Sequence, residues 1–183
     1  MVHTGLVEGV LRGRELRYAV DAVVLLAGIP GAGKSTLLRR VFAGNDDVRV
    51  YDSAHIRDRW MPVLGVLPYA LWRPLVIHDC ATRPWARTLI GWRARQAGLP
   101  LHLILLDVPG DVARSGQWAR GRVVRSASME THCRRWPDVV RKAASDPGRV
   151  VPGALSAVVL TRWEAEQVEQ ITFGDLRPRS GCN

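Results

Sequence analysis

The chain has 183 residues, about one domain's worth, and with 47% apolar and 23% charged residues it is not a disordered polymer. It is strongly basic, with 26 Lys plus Arg against 17 Asp plus Glu and a net charge of +9, and its only lysines are Lys34 and Lys142. Such a chain has anions as default partners, nucleotides or nucleic acid, and charge alone does not choose between them.

Residues 1–20 carry Glu8, Arg12, Arg14, Glu15 and Arg17 and have no signal-peptide core, so an N-terminal extension is expected there. The apolar run at 22–27 (AVVLLA) has the character of a buried parallel strand. Four further strands are predicted at 48–51, 75–78, 101–106 and 157–160, and the first three of these end in Asp52, Asp79 and Asp107. Segments 53–74 and 80–100 are long enough for helical crossovers. The pattern predicts a single-domain, doubly wound α/β fold over 21–173, with a five-stranded parallel sheet covered by helices on both faces. Residues 174–183 read as a C-terminal tail.

Every apolar run is broken by Arg, Pro or Asp before it reaches membrane-spanning length, so no membrane partner is expected. Cys80, Cys133 and Cys182 are odd in number and lack metal-ligand spacing. A reducing cytoplasm is the expected compartment, without disulfides or zinc.

The strongest signal is Gly28-Ile29-Pro30-Gly31-Ala32-Gly33-Lys34-Ser35-Thr36, a full G-x-x-x-x-G-K-[ST] phosphate loop. An apolar strand precedes it, and Leu37, Leu38, Val41 and Phe42 follow at helical spacing. The glycines let backbone N–H groups turn toward phosphate oxygens, and the next helix adds its positive end. Lys34 is expected to reach the β- and γ-phosphates of ATP, and Ser35 to ligate Mg²⁺.

Asp79, ending an apolar strand, is a second candidate Mg²⁺ ligand, or else a turn residue. Asp52 is a candidate proton acceptor for a hydroxyl substrate, with Arg57 nearby to orient it; a helix N-cap at Asp52 or Ser53 is the other reading. Thr82, Arg83 and Arg87 are candidate contacts to acceptor or triphosphate, against a plain surface helix. Arg114, Arg120 and Arg122 lie in a segment, about 111–135, expected to act as a lid supplying cations to the transferring group. A solvated basic face is the alternative. His78 and Trp136 read as packing residues. Thr161, Arg162 and Trp163, after the fifth strand, are candidate adenine contacts.

Taken together, Gly28 to Thr36, Asp52 with Arg57, Asp79-Cys-Ala-Thr-Arg83, and Leu101 to Asp107 with Arg114, Arg120 and Arg122 resemble the AAA-type ATP-binding proteins of the polynucleotide-kinase-like P-loop kinase group. The resemblance spans about residues 22–163, and the stretch Leu67 to Leu75 resembles a form common in actinobacterial members. It implies a 2-3-1-4-5 strand order, ATP with Mg²⁺ as cofactors, transfer of the γ-phosphoryl group to a hydroxyl, and a lid with catalytic arginines. In that group's kinase branch the Arg follows the strand-end Asp by three residues, whereas here position 55 is His and the Arg is at 57. The segment before Asp79 is also shorter.

The sequence therefore reads as a Mg-ATP-dependent kinase acting on a small molecule or a nucleic acid 5′-hydroxyl. The alternative is an ATP switch or slow ATPase that acts through a protein partner. Nucleic acid is a possible but less favoured partner, since no aromatic stacking platform interleaves with the basic residues.

Overall fold

The computed structural model describes residues 15–43, 47–52, 74–119, 121 and 124–174. A parallel five-stranded sheet forms the centre. Its strands, from one edge to the other, are β3 (Arg49–Asp52), β4 (Leu75–Asp79), β2 (Val23–Gly28), β5 (Leu101–Asp107) and β6 (Ala154–Thr161). Numbered by appearance within this sheet, the order is 2-3-1-4-5. The five predicted strands are all present, and the fifth begins three residues earlier than predicted, at Ala154.

The reason for the central position of β2 and β5 is composition. Val23, Val24 and Leu26, and Leu103, Ile104 and Leu105, have no solvent exposure, as befits strands covered on both faces. Each such side chain stabilises the fold by about 1.5–3 kcal/mol relative to exposure. The flanking helices are α1 (Lys34–Val41), α2 (Pro84–Gln96), α3 (Gly110–Trp118), α4 (Ser126–Ser145) and the short α5 (Arg162–Gln167). Pro84 at the first position of α2 starts that helix without losing a hydrogen bond. Thr161 and Glu164 close a capping box at the start of α5.

The stretch expected to be an N-terminal extension is structured in its last part. Residues β1 (Glu15–Ala19) pair in parallel with β7 (Gln170–Gly174) as a separate two-stranded sheet. The period-two alternation explains it: Leu16 and Tyr18 are buried, while Arg17 between them faces out. The Tyr18 ring lies 5.1 Å from His102 and 5.8 Å from Phe173 between ring centres, tilted to both. Thr172 donates to Glu15 at 2.9 Å and Arg40 donates to the Val168 carbonyl at 3.0 Å, which ties this sheet's return strand to α1. Gly174, predicted to open the tail, is the last residue of β7.

No helix among the described residues is long and apolar enough to cross a membrane.

Candidate phosphate-binding site

The phosphate loop leaves the C-terminal end of β2 and runs into α1. Its two sharp turns need φ values of +89° at Gly31 and +100° at Gly33, a region in which glycine carries no steric penalty. Gly33 caps α1, and its carbonyl accepts from the N–H groups of Thr36 at 2.9 Å and Leu37 at 3.0 Å. The first-turn N–H groups and the helix dipole thus face the loop's interior. Lys34 is buried, and its ammonium donates to the carbonyls of Gly28 at 2.6 Å and Ile29 at 3.1 Å. Its charge is held at the start of the loop. Ser35 is half-buried in the same first turn.

Helix α3 clamps the loop from one side. A methyl group built on Gly31 would lie 2.0 Å from the carbonyl oxygen of Ala113, so the two backbones approach as closely as glycine allows. Gln117 completes this contact. Its buried amide donates to the Pro30 carbonyl at 2.9 Å and to the Met129 sulfur at 3.3 Å, while its oxygen accepts from Val124 N–H at 3.0 Å. One side chain therefore joins the phosphate loop, α3, the residues leading into α4, and α4 itself.

On the other side lies the end of β4. Asp79 pairs in register with Ala27, the residue before Gly28, so its carboxylate comes out beside the loop. One carboxylate oxygen accepts from Ala81 N–H at 2.7 Å, closing a turn in which Ala81 adopts φ +52°. Arg87 reaches back from α2 and donates to the Ala81 carbonyl at 2.7 Å. Burial pulls the Arg87 guanidinium below its ordinary range, with Asp138 opposing and Arg135 adding to the shift. Thr82, also buried, bonds His132 Nδ1 at 2.6 Å. The His132 imidazole is held below its usual pKa first by burial, then by the positive charges of Arg83 and Lys34; Asp79 pulls the other way and Arg135 adds to the lowering.

Of the residues predicted from sequence, the loop, Lys34, Ser35 and Asp79 come together. Thr82 and Arg87 also border the site, Thr82 bonded to His132 and Arg87 to the Ala81 carbonyl. Arg83 precedes α2 and is exposed. Asp52 ends β3 opposite His78, one strand beyond Asp79. Arg114 is exposed on α3. Arg57, Arg120, Arg122, the Asp52 side chain and the stretch 67–73 lie outside the described residues. The residues to which the sequence assigns no role are Gln117 and His132. Each acts through a partner far along the chain, and local spacing carries no sign of that.

The donor set suits Mg²⁺. A hydroxyl and one carboxylate are hard oxygen ligands of the kind that ion takes together with phosphate oxygens. Among the described residues no group of three or more His, Cys, Asp or Glu side chains is placed to hold a metal alone. A cavity of about 550 Å³ opens beyond the ends of β2, β5 and β6, with Ile29, Asp107, Pro109 and Trp136 in its wall. Thr161, Arg162 and Trp163 line it as well. Trp136 donates to Asp107 at 3.1 Å across its floor.

The sheet, the loop and its clamping helices define a P-loop kinase-like fold. Among solved structures, a gluconokinase from Sinorhizobium meliloti 1021 superposes with a TM-score of 0.53 at 18% identity, over 82% of this chain and 89% of that one. The tunicamycin resistance protein of Deinococcus radiodurans gives 0.51 at 16% identity, over 80% of this chain and 92% of that one. At these identities the likeness is one of fold. No family model matches the chain, and no curated protein matches it.

Proposed function

We propose that the chain binds ATP with Mg²⁺ at the 28–36 loop and transfers the γ-phosphoryl group to a hydroxyl acceptor. The observation that carries this reading is the buried Lys34 in a complete G-x-x-x-x-G-K-S loop, between the central strand and the N-terminus of α1. Loop N–H groups and Lys34 hold the β- and γ-phosphates, so the bound chain is fixed before reaction. Ser35 and Asp79 are the residues to hold Mg²⁺, which neutralises phosphate charge when bound.

In the proposed step the acceptor oxygen attacks the γ-phosphorus, the bond to the β–γ bridging oxygen breaks, and ADP leaves with that electron pair. Asp52, at the neighbouring strand end, takes the acceptor proton. Arg114, Arg120 and Arg122 supply positive charge to the transferring group, and Arg57 and Arg83 position the acceptor. The cavity lined by Thr161, Arg162 and Trp163 takes the adenine ring, whose flat apolar face suits Trp163.

The test is transfer of labelled γ-phosphate from Mg-ATP by purified protein. The acceptor panel holds gluconate, other sugars, nucleosides, aminoglycosides, and 5′-hydroxyl DNA and RNA. Gluconate is included because of the fold shared with a gluconokinase. Label on one acceptor is the expected result. Label released only as inorganic phosphate with every acceptor would overturn transfer and favour a nucleotide switch that acts through a protein partner.

A further inference from the structure

We propose that His132, held by Thr82 with its proton on Nε2, is a neutral hydrogen-bond donor to the terminal phosphate of the bound nucleoside triphosphate, and so the residue that distinguishes three phosphates from two. This rests on the nucleotide reading above and adds a recognition element to it.

The first support is placement. One face of α4 presents Met129, His132 and Trp136, at the three- and four-residue spacings that keep side chains aligned. Met129 meets Gln117, which grips the Pro30 carbonyl of the phosphate loop. Trp136 meets Asp107 at the end of β5. His132, between them, meets Thr82, three residues past the end of β4. The helix thus touches α3, the end of β5 and the turn that begins with Asp79, and the imidazole is its contact at that turn.

The second support is direction. Strand order puts the 550 Å³ cavity at the β5–β6 side, the loop on β2, and the Asp79–Thr82 turn on the far side at β4. A nucleotide with its base in the cavity has its phosphates running over β2 toward β4. Its last phosphate then arrives on the side of the Asp79–Thr82 turn, which His132 contacts through Thr82.

Tautomer is the third support, and it is fixed by hydrogen-bond accounting. Thr82 as a residue is 2% exposed, and its hydroxyl's bond to Nδ1 is its one hydrogen bond among the described residues. A buried hydroxyl proton left without an acceptor is costly, so Thr82 donates and Nδ1 accepts. The ring proton then sits on Nε2. That nitrogen is a donor with no lone pair to offer, which makes His132 a phosphate ligand rather than a proton acceptor. Burial, Arg83, Lys34 and Arg135 lower the ring's pKa against the opposing pull of Asp79, in the direction of the neutral form.

Calorimetric titration with Mg-ADP and with the β,γ-imido analogue of ATP tests the assignment in the full-length chain. His132→Ala is expected to weaken the imido analogue about tenfold and to leave ADP within about twofold, the size of one hydrogen bond to a charged group. His132→Gln, whose amide N–H reaches the same place as Nε2, recovers part of the discrimination. Thr82→Val acts only through the ring: in ¹⁵N-histidine spectra the wild type shows a proton on Nε2 and a bare, accepting Nδ1, and the variant shows a mixture of tautomers. Equal losses for both nucleotides, no loss for either, or an Nδ1-protonated ring in the wild type would each overturn the proposal while leaving nucleotide binding intact. If the wild type and Lys34→Met bind both nucleotides equally poorly, the P-loop reading itself falls, and this proposal with it.

Discussion

Gln117 offers a test of how the phosphate loop is held. Gln117→Met keeps the length and most of the volume of the side chain, so little cavity forms. Three hydrogen bonds are lost, to the Pro30 carbonyl and the Met129 sulfur and from the Val124 N–H, the sulfur one being the weakest. Leaving a buried polar group unpaired costs about 1–3 kcal/mol. Pro30 and Val124 are both half-buried, so water recovers part of that, and the expected loss is about 2 kcal/mol in total. Urea unfolding followed by circular dichroism reads it directly as a shift in midpoint at constant slope. Because Pro30 lies inside the loop, Mg-ATP affinity is expected to fall as well, by about three- to tenfold. Gln117→Glu keeps the acceptor for Val124 but turns a carboxylate toward the Pro30 carbonyl, and is expected to be worse than Met at pH 7 and to recover as the pH falls. A Gln117→Met protein within about 0.5 kcal/mol of wild type, with unchanged nucleotide affinity, would refute the role given to this side chain.

Gly31→Ala is expected to be more damaging to the loop than to the fold. The added methyl meets the Ala113 carbonyl at 2.0 Å in a backbone with φ +89°, so α3 or the loop must move. A loss of about 2–4 kcal/mol in unfolding free energy and at least tenfold weaker Mg-ATP binding are the expected readings. His102 gives a pH prediction. Burial lowers its pKa from the ordinary 6.5 to about 4, with Asp21 opposing weakly. Between those values the unfolded chain carries a proton that the folded chain lacks. Stability is therefore full above about pH 6.5 and lost as the pH falls toward 4, by on the order of 3 kcal/mol. Urea midpoints measured from pH 7.5 to 4.5 should show the fall in the wild type and a shallower one in His102→Gln.

Much of the scaffold is visible in the sequence because it is written locally. The β2 run, the glycines at 31 and 33, Lys34-Ser35 and the Asp at the end of β4 lie within short windows, and each obeys a rule of composition or spacing. The sheet follows from alternation of apolar runs with long crossovers. What local rules do not reveal is pairing across the chain. β1 joins β7 over more than 150 residues, and its alternation Glu15-Leu16-Arg17-Tyr18 is too brief to stand out in a basic segment. Gln117 and Pro30 are 87 positions apart, and Thr82 and His132 are 50 apart. Thr82 and Arg87 were expected as ligand contacts because they follow Asp79 closely. The fold adds what spacing does not show, that Thr82 bonds His132 and Arg87 bonds the Ala81 carbonyl, where φ is +52°.

The central claim is that the loop takes a nucleoside triphosphate through Lys34. Equilibrium binding of Mg-ATP to wild type and Lys34→Met, with circular dichroism confirming that both are folded, tests it most directly. Saturable binding by the wild type and affinity at least tenfold weaker in the variant is the predicted result, since the ammonium proposed to grip the phosphates is gone. Equal affinity in the two proteins, or no binding by a folded wild type, would contradict the account.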